Sequence, residues 1–238
     1  DKTVRSTIVT KLDDANDGFC DADCSLREAI GAAAPDDIVT FDASLSGGTI
    51  QVDSALTFIS DVTIDGSAMA VPITISGDTN NDGIGDVQVL HVRSGIVASL
   101  GNLIISKGYA SDGGGIYNEG TLTITGSTIS GNLASNGGSV YSGTGYGGGI
   151  YNKTGGILTI ANSTVTGNSA FMGAGVYSTG TLTVTNSTIS TNLASGHGGG
   201  IYQEDVGTVL TITNSTLSAN SASYQGGGIF SNHNTRNF

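Results

Sequence analysis

From about residue 115 to residue 232 the chain alternates short aliphatic–hydroxyl stretches with glycine-rich breaks. Residues 180–192 read GTLTVTNSTISTN: Leu182 and Val184 alternate with Thr181, Thr183 and Thr185, the period-2 pattern of a half-buried strand. Asn186 and Ser187 break the alternation, and Thr188, Ile189 and Ser190 form a second short strand with its aliphatic residue flanked by hydroxyls. Gly175, Val176 and Tyr177 supply a third.

The unit recurs. GGGIYN at residues 113–118 returns at 147–152 and becomes GAGVYS at 173–178, GGGIYQ at 198–203 and GGGIFS at 226–231. Its aliphatic position falls at Ile116, Ile150, Val176, Ile201 and Ile229, so the spacings are 34, 26, 25 and 28 residues. Three short strands and three turns in each ~25-residue period, with aliphatic residues inward, describe one coil of a parallel β-helix. Stacking the coils puts Leu122, Leu158, Leu182 and Leu210 in one inner column, and Ile129, Val165, Ile189 and Leu217 in another. Asn132, Asn168, Asn192 and Asn220 fall at one corner, where an amide bonds the next coil and tolerates left-handed geometry. With ~4.8 Å between coils, residues 38–238 make about eight coils and a rod roughly 40 Å long. The sense of winding is right-handed by the general rule for parallel crossovers. The long spacing of 34 implies an insertion, placed at residues 135–147.

The N-terminal segment differs. Ser25 with Glu28 three residues on is a capping box that opens a short amphipathic helix through Ala29 and Ile30, suited to plug the first coil. The chain therefore divides into a cap, residues 1–37, and an all-β helix, residues 38–238. Residues 231–238 begin no complete coil, so that end is expected to be continued by a downstream domain or covered by another copy.

Residues 7–33, with the string CSLREA at 24–29, closely resemble the N-terminal CSLREA module of secreted bacterial and archaeal proteins. The GGGIY repeats resemble the right-handed β-helix repeats that follow it, on a scaffold shared with pectin-degrading enzymes and adhesins. That resemblance implies an extracellular surface protein and leaves its activity undefined.

Composition narrows the partners. The 238 residues include 38 Gly and only 2 Pro, and charged residues make up 12% of them. A net charge of −12 disfavours nucleic acid, whose phosphates need clustered cations. No apolar run approaches the ~20 residues of a membrane span. The start at Asp1 without a signal-like stretch fits a processed secreted protein. Cys20 and Cys24, the only cysteines, sit in an acidic loop with no nearby His; a local disulfide is the favoured reading over two free thiols, and it points to an oxidising compartment.

Several residues could carry chemistry. Asp78, Asn80 and Asp82, followed by Gly83, match the opening of a calcium loop, and Asp86 falls at its ninth position. Position 12 is Val89, and an Asx-rich turn would look the same. Calcium is the one cofactor that these residues point to. A second acidic loop, Asp13, Asp14, Asp17, Asp21 and Asp23, is less regular. A polysaccharide lyase would need a base beside clustered carboxylates; Lys107, Lys153, Asp112, Glu119, Glu204 and Asp205 lie at different phases and form no evident cluster. His197 in Gly-His-Gly is read as a turn residue, and His91 and His233 have no visible partner.

Tyr117, Tyr151, Tyr177, Tyr202 and Phe230 each follow an inward aliphatic and so form an outer aromatic ladder. It either stacks on itself between coils or offers faces to surface carbohydrate, and self-stacking is favoured. Thr123, Thr159, Thr183 and Thr211, with Thr125, Thr185 and Thr213, make a hydroxyl array like the faces of β-helical ice-binding proteins, although Thr is also an ordinary solvent-facing strand residue. Asn152, Asn162, Asn186 and Asn214 head glycosylation sequons. The leading expectation is a structural or adhesive cell-surface rod assembling end to end, through copies of itself or a downstream domain. The alternative is a calcium-dependent lyase or other carbohydrate-active enzyme, and ice binding is third.

Overall fold

The structure is a computed structural model describing residues 5–137, 143–204 and 207–232. It is a parallel β-helix. Every strand pairing is parallel, and the strands fall into four sheets that run along one axis. The first sheet has eight strands, in the order Ser6–Val9 (β1), Asp37–Phe41 (β2), Val62–Asp65, Val97–Gly101, Thr121–Thr125, Ile157–Ala161, Thr181–Thr185 and Val209–Thr213. The second and third have seven each, running from Thr49–Gln51 to Thr216–Ser218 and from Leu56–Phe58 to Ile229–Asn232. About eight coils result.

A fourth sheet was not legible in the repeat. Five two-residue strands, from Tyr109–Ala110 to Ser221–Ala222, lie at the corner between the second and third sheets. Their inward Ala134, Ala170 and Ala194, with Ala174, form a small core of their own. With alanine at the inward positions, the segment lacks the larger aliphatic signal that marks the other strands.

The predicted columns are in register. Leu122, Leu158, Leu182 and Leu210 are successive partners, as are Ile129, Val165, Ile189 and Leu217. All but the last of each column are fully buried. The glycine triplet has a steric origin at two of its positions. Its first glycine adopts φ of 59° to 68° at Gly113, Gly147, Gly173, Gly198 and Gly226, a region costly for side chains. At the third, a Cβ on Gly115 would lie 2.6 Å from the Gly149 carbonyl oxygen of the next coil, and the contact repeats from Gly149 to Gly175.

The Asn column forms as expected. Asn168 Nδ2 donates to Asn192 Oδ1 of the next coil and to the Ile129 carbonyl, both at 3.0 Å, while its Oδ1 accepts from Asn132 N and Nδ2. The left-handed residue, however, is not this Asn but the one before it: Gly131, Gly167, Thr191 and Ala219 carry the positive φ. The Asn side chain fastens the corner and its predecessor makes the turn. A second buried column, Asn118 to Asn152 to Ser178, passes hydrogen bonds of 2.8 and 3.1 Å along the third sheet.

The cap is more deeply joined to the solenoid than the division at residue 37 suggests, because β1 extends the first sheet, with Val9 paired to Phe41. Helix α1 (Leu26–Ala32) opens on the predicted capping box: Ser25 Oγ accepts from Glu28 N, and Glu28 Oε2 accepts from Ser25 N at 2.7 Å. The helix lies against β1 and Leu56–Phe58, burying Leu26, Ala29 and Ile30 over the first coil. Arg27 locks it with a two-pronged pair to Asp14, at 2.5 and 3.0 Å, and a bond to the Ser54 carbonyl. Of the insertion, residues 138–142 lie outside the described residues, as do Asp205, His233 and the rest of 233–238.

Asn168→Ala should cost about 2–4 kcal/mol, because it removes four hydrogen bonds and strands a buried donor and acceptor on neighbouring coils. Asn186→Gly, at an exposed left-handed corner with φ 49°, should cost under ~0.5 kcal/mol. Urea unfolding of the two variants beside wild type gives both values, and equal losses would mean that the buried amide column does not hold the corner.

Candidate functional site

The third sheet presents the aromatic ladder. His91, Tyr117, Tyr151, Tyr177, Tyr202 and Phe230 are successive partners. Ring centroids are 5.1 Å apart at Tyr117–Tyr151, 5.3 Å at Tyr151–Tyr177 and 4.7 Å at Tyr177–Tyr202, with planes 11° apart in the last pair. The rings face one another along the axis. Self-stacking is therefore what the ladder does, at a gain of ~0.5–1.5 kcal/mol per pair beyond burial.

Alternation placed all five rings on an outer face, and here the structure differs. Tyr177 and Tyr202 are only 8% and 5% exposed. Tyr146, from the insertion, folds over Tyr177 at 4.9 Å, and Glu204 accepts from the Tyr177 hydroxyl at 3.2 Å. Burial, reinforced by Glu204, pushes both phenols up, Tyr202 to about 12. His197 is more than a turn residue: its ring lies 4.6 Å from Phe230 and 5.4 Å from Tyr224. The half-exposed rings of the ladder are His91, Tyr117 and Tyr151 at one end and Phe230 at the other.

Charged residues gather at the His91 end. Glu119, just after the strand Ile116–Asn118, accepts from Lys153 Nζ at 2.6 Å and sits 3.1 Å from His91 Nε2. Lys153 also lies 5.9 Å from the Tyr117 ring centroid. Asp112 shares an open groove of about 480 Å³ with Gln88, His91, Ser111, Tyr117 and Glu119. Lys153 and His91 hold the Glu119 carboxyl below the usual range, whereas burial pushes Asp112 up. Phase differences in the repeat had separated these residues; the structure brings Asp112, Glu119 and Lys153 together around His91. The signal lay in Asp112 and Glu119 flanking one GGGIY phrase, on opposite sides of the ladder's first tyrosine.

The oxygens of the Asp78 loop bond mainly within the loop and to Lys107. Asp78 is buried, and despite that burial Lys107 Nζ, at 3.0 Å, with the Gly83 and Asp82 amides, holds its carboxyl low. Asn80 Oδ1 accepts from Asp82 N, and Asp86 accepts from the Thr79 amide and hydroxyl. The oxygens satisfy their own loop as Asx turns. Among the described residues no group of three or more His, Cys, Asp or Glu is placed to hold a metal ion.

Cys20 and Cys24 form a disulfide. Of the sequons, Asn152 is fully buried with Nδ2 bonded to Ser178, while Asn162, Asn186 and Asn214 are exposed left-handed corners. In the Thr array, Ala161 interrupts the second row between Thr125 and Thr185. Among the described residues no helix is long and apolar enough to cross a membrane.

Neither a known protein family nor a curated protein matches this chain. The resemblance to the CSLREA module thus rests on residues 7–33 alone, and the β-helix rests on the structure.

Glu119 and Asp78 have carboxyls held low by cations, so their stabilisation is complete above the ordinary carboxylate pKa and is lost as pH falls through the lower folded value. Glu119→Gln should lose under ~1 kcal/mol at pH 7, since the pair is partly exposed. It should also show a smaller drop in urea midpoint between pH 7 and pH 3 than wild type. An unchanged drop would mean that the Lys153–Glu119 pair does not stabilise the fold.

Proposed function

We propose that this protein is an extracellular structural or adhesive rod of the cell surface that joins end to end with a second copy. The observation that supports the joint is the difference in burial between the first and the last described coils. At the first coil α1 covers the core. At the last described coil Leu210, Ile212 and Leu217 are partly exposed and Ile229 is 40% exposed, although Leu182, Val184, Ile189 and Ile201 one coil earlier are fully buried. The strands of that coil also offer unpaired edges, which invite strand addition.

A second copy matches this face in pattern, because its own last coil carries the same columns and edges. With the helix over the other end, the favoured joint is tail to tail. Such an isologous contact closes at two, whereas head-to-tail stacking onto the capped end would grow without limit. The disulfide is consistent with an oxidising, extracellular setting. The amide and aromatic columns would give the pair its stiffness.

The test is sedimentation velocity over a wide concentration range. The expected result is a monomer–dimer equilibrium that Leu217→Asp shifts to monomer without loss of fold. Open-ended growth would favour the filament instead, and a monomer at every concentration would overturn the joint.

A further inference from the structure

We propose that the groove between Asp112 and Glu119 binds a neutral saccharide, held through its hydroxyl groups. This deepens the adhesive part of the reading above by naming a ligand; it is independent of the end-to-end joint, which lies at the other end of the ladder.

The groove's size, about 480 Å³, falls in the range of small-molecule sites. Its polar groups are dominated by acceptors. Asp112 Oδ1 accepts a single backbone amide, that of Tyr146, at 3.2 Å. Glu119 uses Oε1 for Lys153 and Oε2 for His91, and each carboxylate oxygen has more than one lone-pair direction. Gln88 is already committed: its Nε2 donates to the Asp112 and Gly113 carbonyls, at 3.0 and 2.9 Å. The hydroxyls of Ser111 and Tyr117 also line the groove and can donate or accept, whereas its two carboxylates only accept, and a ligand rich in O–H groups supplies the donors they need.

Charge selects among such ligands. Two carboxylates face one ammonium, Lys153, which Glu119 already engages at 2.6 Å, on a chain of net charge −12. An acidic polysaccharide would meet repulsion at Asp112, and among the described residues that line the groove there is no Lys or Arg to offset it. The upward push on Asp112 fits the same picture, since a half-buried carboxylate short of donors is stabilised by hydroxyls aimed at it. The ring of Tyr117 and the edge of His91, set at 88° to each other, form the apolar side of the groove against which C–H groups of a pyranose can lie. Farther along the ladder, at Tyr177 and Tyr202, burial removes that option.

The experiment is isothermal titration calorimetry of the full chain with cellohexaose, mannohexaose, a hexameric oligogalacturonate and chitohexaose stripped of its acetyl groups. At least one of the two neutral probes should bind, with affinity reduced roughly tenfold or more in Asp112→Ala, because a charged acceptor is lost. Thr188→Ala, on the second sheet, should bind as wild type does. Circular dichroism and the urea midpoint of Asp112→Ala show whether the fold is intact, and Asp112→Asn provides a second, isosteric variant, expected to bind more weakly than wild type. Absence of binding by both neutral probes, binding unaffected by either Asp112 variant, or binding confined to the acidic or the cationic probe would overturn the proposal. Dimerisation of Asp112→Ala, read in the same samples, separates failure of this site from failure of the joint.

Discussion

The spacing between adjacent parallel strands constrains almost everything else in this molecule. Coils about 4.8 Å apart leave each inward side chain in contact with the residue of the same phase above and below. A core of this kind is filled column by column, so Leu stacks on Leu and Ile on Val, and a misplaced residue disturbs two neighbours. The same spacing forbids a Cβ where the backbones turn most closely together, as at Gly115 and Gly149, and it is short enough for an Asn amide to reach its counterpart. Glycine triplets, Asn corners and aromatic rows are thus three answers to one distance.

That constraint explains which parts of the fold could be read from sequence. Where a phase is occupied by one residue type in successive coils, as at Leu122, Leu158 and Leu182, the period exposes it directly. The capping box was equally legible, since Ser25 and Glu28 are a local device with a three-residue spacing. Features outside the period were not. β1 pairs with β2 across 32 residues, and its exposed–intermediate–exposed–buried strand gives a weak pattern. The two-residue strands of the fourth sheet bury only alanines. The left-handed position falls one residue before the expected one, because the hydrogen-bonding Asn is constant from Asn132 to Asn220 while Gly131, Thr191 and Ala219 before it vary around one backbone shape.

The groove was hidden for a related reason. Asp112 and Glu119 occupy corners, and corners are where one coil is free to differ from the next without breaking the core. Repeat phase predicts what coils share, whereas a site is made from what they do not. The insertion acts in the same way: Tyr146 bridges to both Asp112 and Met172 and shields Tyr177, so a departure from the period decides which rings stay accessible.

The two ends of the rod settle the same problem differently. Any solenoid must stop its core columns and its strand edges. At the first coil α1 covers the columns, β1 adds one more strand, and Arg27, bonded to Asp14 and to the Ser54 carbonyl, ties the helix to the loop below it. Glu28, inside the capping box and also bound by the Asp17 amide, gives that plug a buried, fully bonded anchor. At the last described coil Leu210, Ile212 and Leu217 remain at the columns' margin, and among the described residues no helix covers them as α1 covers the first coil. Fully burying a Leu or Ile side chain is worth ~1.5–3 kcal/mol, so the part of these three residues that is still exposed favours cover by another surface of matching spacing. The polar groove at the His91 end carries no comparable hydrophobic drive. On the two proposals above, cohesion would lie at one end of the described coils and recognition near the other, with a continuous ladder of side chains between them.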